Sequence, residues 1–299
     1  MSSSEDRAAR AAPTSTEVEE HRASVEAAHA ARVARLRSAT GWLSLVGKAF
    51  LSRGTTTIGS APDAGARLPA GAPPRIGTVH VEGDVVTFEA APGVEVTCNG
   101  EPVTKRILRS DRDGPADALV ASGFVLELME RGDVLALRIR DTRELPRPFA
   151  GIDRWPVDLG WRVRAKLLPY PEPRRVELDF EGATGAVADA FFAPGVLVFE
   201  HEGRELKLEP VFEDASRKRL FVLFRDATSG VESYPLGRFL YAPLPDEDGT
   251  VWLDFNLAML PGCAFTAFAT CPIPPRENRL DVPVRAGERA YLGSIDPGT

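Results

Sequence analysis

Apolar residues recur at helical spacing in one part of the chain, close to its N-terminus. They follow one another at intervals of seven, four, four and three residues, which places them on one face of a helix. The residues on this face are Val18, Val25, His29, Val33 and Leu36. Thr16 and Glu19 have the spacing of a capping box, and Gly41 ends the pattern. The sequence therefore predicts a disordered segment 1–15 and then a helical arm over 16–40, docked on the protein's own body or on a partner.

After the arm, the pattern changes to short apolar runs separated by turn residues. Gly83-Asp84, Asn99-Gly100 and the segment 130–133 are predicted hairpin turns, and Asn-Gly is the strongest short hairpin signal. The predicted strands of this half are 55–58, 78–81, 85–89, 94–97, 124–129 and 134–139. Short strands without helices between them are typical of a β-sandwich or barrel.

Prolines at 146, 148 and 156, together with Gly151, mark a predicted domain boundary. They divide the chain into a β-sandwich over 41–145 and a C-terminal antiparallel β domain, sandwich or barrel, over 146–299. The predicted strands of the second domain are 176–180, 196–200, 205–208, 220–224, 238–241 and 251–255.

The composition is that of a soluble globular protein, with 43% hydrophobic and 26% charged residues. The formal net charge of -7 disfavours nucleic-acid binding, which needs a basic patch. Three cysteines are too few for a disulfide framework, which favours a cytoplasmic location. The sequence has no recognisable secretory signal and no apolar stretch long enough to span a bilayer, so no membrane association is predicted.

The densest group of polar and stiffening residues lies near the C-terminus. Arg238 and Asp254 fall on consecutive predicted strands, and if these strands pair as a hairpin, their side chains share one face. Such a group would bind a small anionic or amide-bearing ligand, with catalysis left open. The candidate ligand-binding residues are Tyr234, Arg238, Asp254, Asn256, Glu277, Asn278 and Arg279. A buried salt bridge that ties the proline-rich segment to the sheet explains the same residues equally well.

The two C-terminal cysteines allow further alternatives. Cys263 joins Asp254 and Arg238 as a catalytic candidate, but a reactive cysteine needs a base or cation beside it, and two buried structural thiols are the simpler explanation. Cys263 and Cys271 are eight residues apart, wider than the usual spacing of zinc ligands, so no metal is predicted. The sequence also has no cofactor motif, and no cofactor is predicted.

Three segments of the first domain carry a family resemblance. They are Thr57-Ile58-Gly59-Ser60, Thr78-Val79-His80 and Thr97-Cys98-Asn99-Gly100. Their spacing resembles that of forkhead-associated domains, which are β-sandwiches that bind phosphothreonine through loops. However, Ser60 stands where that family has an arginine, and Gly77 where it has a serine. Because a phosphate dianion is best bound by a guanidinium, we expect the fold without phosphopeptide binding, and a structural role for His80.

Eight segments together resemble a second family. They are residues 41–47, 137–141, 195–199, 221–230, 234–240, 254–256, 263–266 and 271–280. They are similar to segments of the bacterial domain of unknown function 1684. The resemblance covers nearly all of the chain after residue 20. One departure is visible, because that family commonly has Tyr-Asn-Pro-Pro-Cys where this chain has Met259-Leu260-Pro261-Gly262-Cys263. The resemblance implies no activity.

The sequence thus predicts a mainly β protein, with an N-terminal helical arm, a forkhead-associated-like β-sandwich and a second β domain. The first functional hypothesis is a small-ligand site in the C-terminal domain. The alternative is a non-enzymatic interaction module that uses the sandwich loops and the arm. In that case residues 16–40 contact a protein partner or a second copy of the chain.

Overall fold

The computed structural model describes residues 14–112, 114–143, 148–181 and 188–293, and it is mainly β, as predicted. Its elements are helix α1 (Ser15–Arg37) and strands β1 (Leu45–Leu51), β2 (Gly54–Gly59), β3 (Ala66–Arg67), β4 (Gly77–Glu82), β5 (Val85–Ala90), β6 (Thr97–Cys98), β7 (Glu101–Pro102), β8 (Lys105–Ile107), β9 (Ala118–Ala121), β10 (Phe124–Arg131), β11 (Val134–Asp141), β12 (Arg162–Glu181), β13 (Ala188–His201), β14 (Arg204–Leu208), β15 (Leu220–Phe224), β16 (Arg238–Ala242), β17 (Thr250–Asp254) and β18 (Cys271–Pro272). Single 3-10 turns form at Trp42–Ser44, Leu159–Trp161, Phe255–Leu257, Gly262–Ala264 and Arg276–Asn278.

Helix α1 begins earlier than the sequence pattern predicts. Its N-cap is Thr14, whose side chain accepts a hydrogen bond from the backbone of Glu17, while the Glu17 carboxylate accepts one from the backbone of Thr14. The capping box predicted at Thr16 is therefore wrong by two residues. Both positions have the same spacing, and nothing between them prevents a helix, so the helix starts at the earlier cap. The predicted disorder of residues 1–13 lies outside the described residues.

The first half forms two sheets packed face to face. One sheet has the order β1-β11-β10-β9-β6-β7 and the other β3-β2-β4-β5-β8, with antiparallel pairing except between β2 and β3. Apolar side chains from both sheets, such as Ile58, Phe88 and Leu126, fill the space between them. The hairpins predicted at Gly83-Asp84 and Asn99-Gly100 are both present. These two sheets form the expected β-sandwich.

The second half is built around the long strand β12. Its main sheet has the order β14-β13-β12-β17, with β18 paired to the far end of β12, and the pair β15-β16 forms a separate two-stranded sheet. The sequence pattern missed the first part of β12, because prolines at 169, 171 and 173 argue against a strand. In the structure the β12–β13 register shifts between Pro169 and Arg174, so two of these prolines fall where ladder pairing is interrupted.

The condition under which Arg238 and Asp254 would share one face, a hairpin between residues 238–241 and 251–255, is not met. Strand β16 pairs with β15, whereas β17 pairs with β12, so Arg238 and Asp254 belong to different sheets. The connection over residues 243–249 contains Pro243 and Pro245 and is longer than a tight hairpin turn. It carries the chain from one sheet to the other, and the two sheets share a core that includes Leu240 and Leu253.

Helix α1 packs on the body of its own chain. Leu36, which is 1% exposed, packs against a cluster that includes Leu43, Phe149, Leu260 and Phe265. His21 Nε2 lies 3.3 Å from the carboxylate of Asp254 in the C-terminal domain. In the described part of the chain, no helix combines the length and apolar character needed to cross a bilayer. The predicted contact of residues 16–40 with a partner or a second copy stays a prediction.

Candidate functional site: an arginine-rich cleft

A cleft of about 580 Å³ lies where helix α1, the sandwich and the C-terminal domain meet. All three parts of the chain supply arginines to its walls. These are Arg32 and Arg35 from α1, Arg112, Arg131 and Arg138 from the sandwich, and Arg219 from the C-terminal domain. Three carboxylates also line it, namely Asp111, Asp189 and Glu213. The lining therefore carries an excess of positive charge, although the chain as a whole is acidic.

The sandwich wall is organised by Asp111, which precedes β9. Its carboxylate accepts two hydrogen bonds from Arg131, at 2.8 and 2.9 Å, and one from Arg138 at 2.7 Å. Burial opposes ionisation of Asp111, but the hydrogen bonds of Arg131 and the charge of Arg138 lower its pKa overall. Asp111 is therefore a carboxylate that fixes two guanidinium groups at the edge of the cleft.

Arg138 is the more constrained of these two arginines. Its side chain is 11% exposed, and burial lowers its pKa. Among the described residues its Nη1 bonds to Asp111, while its buried Nε has no partner. A buried donor without a partner costs free energy, of the order of 1–3 kcal/mol. Such groups are rare in native proteins and call for an explanation.

The wall supplied by the C-terminal domain is organised by Glu213 and Tyr241. Glu213 accepts a 2.6 Å hydrogen bond from the Tyr241 hydroxyl and pairs with Arg219 at 2.8 Å. The guanidinium of Arg219 lies 3.7 Å from the centre of the Tyr241 ring. Burial, followed by the charge of Glu213, raises the pKa of Tyr241, so the phenol stays neutral. Arg35 approaches from helix α1, and among the described residues no carboxylate pairs with it.

Aromatic side chains form the apolar part of the lining. Phe180 and Phe191 stack at a centroid distance of 6.3 Å, and Phe221 and Tyr241 stack at 4.9 Å. Phe239 meets the ring of Phe221 edge-on at 5.0 Å. All five rings line the cleft. The cleft thus combines flat apolar surfaces with planar cations, which suits a flat ligand that carries negative charge.

A smaller cavity of about 210 Å³ lies beside the cleft, under helix α1. It shares Arg32, Arg35 and Tyr241 with the larger one. Glu288 lines this cavity and accepts hydrogen bonds from the backbone of Leu260 at 2.6 Å and from Arg32 at 3.4 Å. Burial raises the pKa of Glu288. Arg32 also donates to the Leu260 carbonyl at 2.8 Å, so this pair fixes the segment that borders both cavities.

The predicted site residue Arg238 is fully buried in the C-terminal domain. It pairs with Asp226 and donates to the carbonyl oxygens of Val284 and Ala286. Its guanidinium lies 5.0 Å from the ring centre of Trp155. Burial lowers its pKa, and Asp226 opposes this effect. Arg238 therefore joins β16 to the last described segment of the chain.

Asp254 and Asn256 contact each other. Asp254 and Arg238 belong to different sheets. Asp254 accepts hydrogen bonds from the backbone and the side chain of Asn256, at 3.1 and 2.9 Å. The Asn256 amide also accepts a hydrogen bond from the backbone N–H of Asp158 and donates one to the Asp158 carbonyl, both at 2.9 Å. Asn256 lines the smaller cavity. The pair caps the turn at the end of β17.

The remaining candidates are scattered around the same domain. Asn278 is buried, donates to the carbonyl oxygens of Glu209 and Leu223, and accepts from the Glu209 N–H. Tyr234 donates to the carbonyl oxygen of Cys263 at 3.2 Å. Two more, Glu277 and Arg279, are exposed. None of the candidate ligand-binding residues in the described chain lines the cleft, and their role in binding stays a prediction.

The two C-terminal cysteines lie together. The backbone N–H of Cys263 donates to the sulfur of Cys271 at 3.2 Å, and both thiols are buried and not joined in a disulfide. Cys271 lines the cleft. A hydrogen bond with the Cys263 thiol, and then burial, raise the pKa of Cys271 well above its usual range. Among the described residues no cluster of potential metal ligands forms around them.

Residues 147–289 match a family model described as a protein of unknown function, DUF1684. The chain belongs to this family. The matched region is narrower than the resemblance suggested, since segments 41–47 and 137–141 lie before it. The chain is also similar to an uncharacterized protein of Haloarcula marismortui, solved by NMR, at 34% identity over 50% of this chain and 85% of that one, with a TM-score of 0.40. No curated protein matches the chain.

Solved forkhead-associated domains are also among the similar structures. One is the FhaA domain in complex with the intracellular domain of Rv3910, at 22% identity over 30% of this chain and 84% of that one, with a TM-score of 0.22. Another comes from a study of phosphothreonine-dependent interactions of such domains. It is 19% identical over 31% of this chain and 92% of that one, with a TM-score of 0.23. The first half of this chain, for its part, is a β-sandwich of two packed sheets.

The residues that depart from the two families have structural explanations. A Cβ atom on Gly77 would lie 2.3 Å from the carbonyl oxygen of Glu89, so no side chain fits there. The hydroxyl of Ser60 donates to the carbonyl oxygen of Ala72 at 2.7 Å. A Cβ atom on Gly262 would lie 2.6 Å from the indole of Trp42. Gly262 thus lets the C-terminal segment pack directly on the first residues of the sandwich.

Sequence reasoning missed the cleft arginines. They lie on α1, in the segment before β9, on β10 and β11, and in the segment before β15, and only the packing of three parts brings them together. One signal was available: Arg138 sits between Leu137 and Ile139 inside an apolar strand, where an arginine needs a specific partner.

Proposed function

We propose that the cleft between α1, the sandwich and the C-terminal domain binds a small organic anion. The proposal keeps the anionic ligand expected from the sequence but moves its site from the C-terminal candidates to the cleft. The observation that carries it is the excess of guanidinium groups over carboxylates in a cleft of ligand size. Small-molecule pockets commonly measure about 300–1,000 Å³, and this cleft has about 580 Å³.

The charge excess persists when the partners behind the lining are included. Arg112 pairs with Glu130, and Arg32 pairs with Glu288, neither of which lines this cleft. Together with the three lining carboxylates they make five acids against six arginines. Arg131 and Arg138 share one carboxylate, and Arg35 has none among the described residues. A ligand carboxylate or phosphate would supply the acceptor that these donors lack.

The aromatic lining favours an organic anion over an inorganic one. A simple anion would leave the rings of Phe180, Phe191, Phe221, Phe239 and Tyr241 against water, whereas a ligand with an apolar body covers them. Guanidinium groups also stack on flat rings, as Arg219 already does on Tyr241. The supported ligand class is therefore a compact molecule with an acidic group on an apolar, preferably flat, body.

A fluorescence titration with 2-naphthoate tests the proposal. We expect saturable one-to-one binding that weakens at least about tenfold in the double variant Arg35→Gln/Arg138→Gln, because charge-assisted hydrogen bonds are lost. Arg164→Gln is the matched control, since Arg164 is an exposed arginine of β12 outside the cleft. Circular dichroism checks that all variants are folded.

Two results would overturn the proposed function. One is the absence of saturable 2-naphthoate binding by the wild-type protein. The other is equal affinity in the wild-type protein, the double variant and Arg164→Gln, which would place the binding outside the cleft.

A further inference from the structure

The cleft arginines include two groups held by different carboxylates, Asp111 and Glu213, and we call these groups its two ends. On the sandwich side, Asp111 holds Arg131 and Arg138 within 2.9 Å of its oxygens. On the other side, Arg35 comes from helix α1 and Arg219 from the segment before β15. The first pair stands on strands of the sandwich, and the second pair on the arm and the C-terminal domain. A ligand between them would therefore contact both domains.

The charges at the two ends act on different groups. Apart from burial, the pKa of Arg138 responds mainly to Asp111, Arg131 and Arg140, all of which belong to the sandwich. Apart from burial, the pKa of Tyr241 responds mainly to groups of the C-terminal domain and the arm, which are Glu213, Arg219 and Arg35. The two sets share no member. The ion pairs divide in the same way, because Arg131 and Arg138 pair with Asp111, whereas Arg219 pairs with Glu213.

Aromatic rings mark each end. At the sandwich end, the guanidinium of Arg131 lies 5.9 Å from the ring centre of Phe180, and Phe180 stacks with Phe191. At the other end, Arg219 lies 3.7 Å from Tyr241, which stacks with Phe221. Phe191, Phe221 and Tyr241 all pack on one apolar cluster of the C-terminal domain. The rings of both ends thus adjoin a common apolar surface.

We propose that the ligand is a flat dianion, with an aromatic ring system that lies on these side chains and an acidic group at each end. This inference rests on the proposed function and specifies its ligand class. One acid pairs with Arg131 and Arg138, and the other with Arg35 and Arg219. The ring system between them covers the aromatic lining. Carboxylate and phosphate groups satisfy the same donors, so carboxylates serve as the probes.

Matched naphthalene acids test this geometry. We expect naphthalene-2,6-dicarboxylate to bind at least about tenfold more tightly than 2-naphthoate, since a second charge-assisted contact is added. Decalin-2,6-dicarboxylate has the same two acids on a saturated body that cannot stack, and we expect it to bind several-fold more weakly than the naphthalene diacid. Arg35→Gln and Arg138→Gln should each reduce the affinity for the diacid to about that of 2-naphthoate, while Arg164→Gln leaves it unchanged.

The outcomes separate this inference from the proposed function. If the diacid and 2-naphthoate bind equally well in the cleft, the cleft holds one anion and the two-ended ligand is wrong, although the proposed function stands. If the decalin diacid binds as tightly as the naphthalene diacid, the proposal that the ligand has a flat aromatic ring is wrong. If only one of the two single variants lowers the affinity for the diacid, the proposal that the ligand contacts both ends is wrong. If the wild-type protein shows no saturable binding of 2-naphthoate, the proposed function itself fails.

Discussion

The guanidinium of Arg238 pairs with the carboxylate of Asp226, and neither side chain exposes any surface to solvent. Asp226 also accepts a hydrogen bond from the backbone N–H of Thr228, and Arg238 donates to carbonyl oxygens of the segment 284–286. A charge at this depth is tolerated only when it is paired and hydrogen-bonded. The pair therefore connects β16, the turn after β15 and the C-terminal segment.

We expect Arg238→Met to lower the free energy of unfolding by about 3–5 kcal/mol, because it leaves Asp226 buried without its partner. Urea denaturation measures this change. Arg164→Met, at an exposed position of β12, is the control and should change stability by less than about 0.5 kcal/mol. Similar midpoints for both variants would contradict a structural role of the buried pair.

A second prediction concerns acid stability and Asp117 in the sandwich. Asp117 is 1% exposed and accepts hydrogen bonds from Asn99 and Arg109. Burial alone would raise its pKa, but the hydrogen bonds outweigh burial and lower it from 3.8 to about 2. Because the pKa is lower in the folded state, ionised Asp117 stabilises the fold. This contribution to the free energy of unfolding is present in full above pH 3.8 and is lost as the pH falls through 2.

We expect Asp117→Asn to lower the free energy of unfolding by about 2 kcal/mol near neutral pH, and by almost nothing once the pH has fallen to about 2. Urea denaturation at a series of pH values measures the difference. Asp63→Asn, in an exposed pair with Arg75, is the control and should show no comparable pH dependence. A cost for Asp117→Asn that stays constant down to the lowest pH would show that geometry, rather than charge, is responsible.

The docking of helix α1 gives a third prediction. Leu36 is 1% exposed and packs on Leu43, Phe149 and Phe265. We expect Leu36→Ala to lower the free energy of unfolding by about 2–5 kcal/mol, because a cavity replaces the buried side chain. The same change should make the arm more sensitive to trypsin. Arg22→Ala, at an exposed position of the same helix, should be nearly neutral. An unchanged cleavage rate in Leu36→Ala would show that the arm does not depend on this contact.

The cysteines give a fourth prediction. All three are buried, and the pKa of Cys271 is raised, so little thiolate forms near neutral pH. We expect iodoacetamide to label none of them in the native protein and all three in urea, as read by mass spectrometry. Rapid labelling of Cys263 or Cys271 in the native protein would instead indicate the activated thiol that a nucleophile requires.

Local patterns in the sequence were sufficient for most of the architecture. The spacing from Val25 to Leu36 predicts one helix, and Gly83-Asp84 and Asn99-Gly100 predict hairpins, because these signals depend on neighbouring residues alone. They failed where distant residues decide and where two local patterns are equivalent. The prolines of β12 are tolerated because its pairing with β13 shifts register, and the position of the helix cap depends on which of two equal patterns is used.

The sequence alone also singles out residues of unusual chemistry, and in the structure Arg238, Asp254, Asn278 and the two C-terminal cysteines make specific contacts, while their role in ligand binding stays a prediction. Which parts of the chain those contacts join depends on the folded structure. Arg238 and Asp254 lie in different sheets because the proline-containing connection 243–249 crosses between them. The cleft arginines come from three parts of the chain, and their proximity is a property of how those parts pack. Packing depends on long-range contacts that no local pattern encodes, so the cleft becomes visible only in the folded chain.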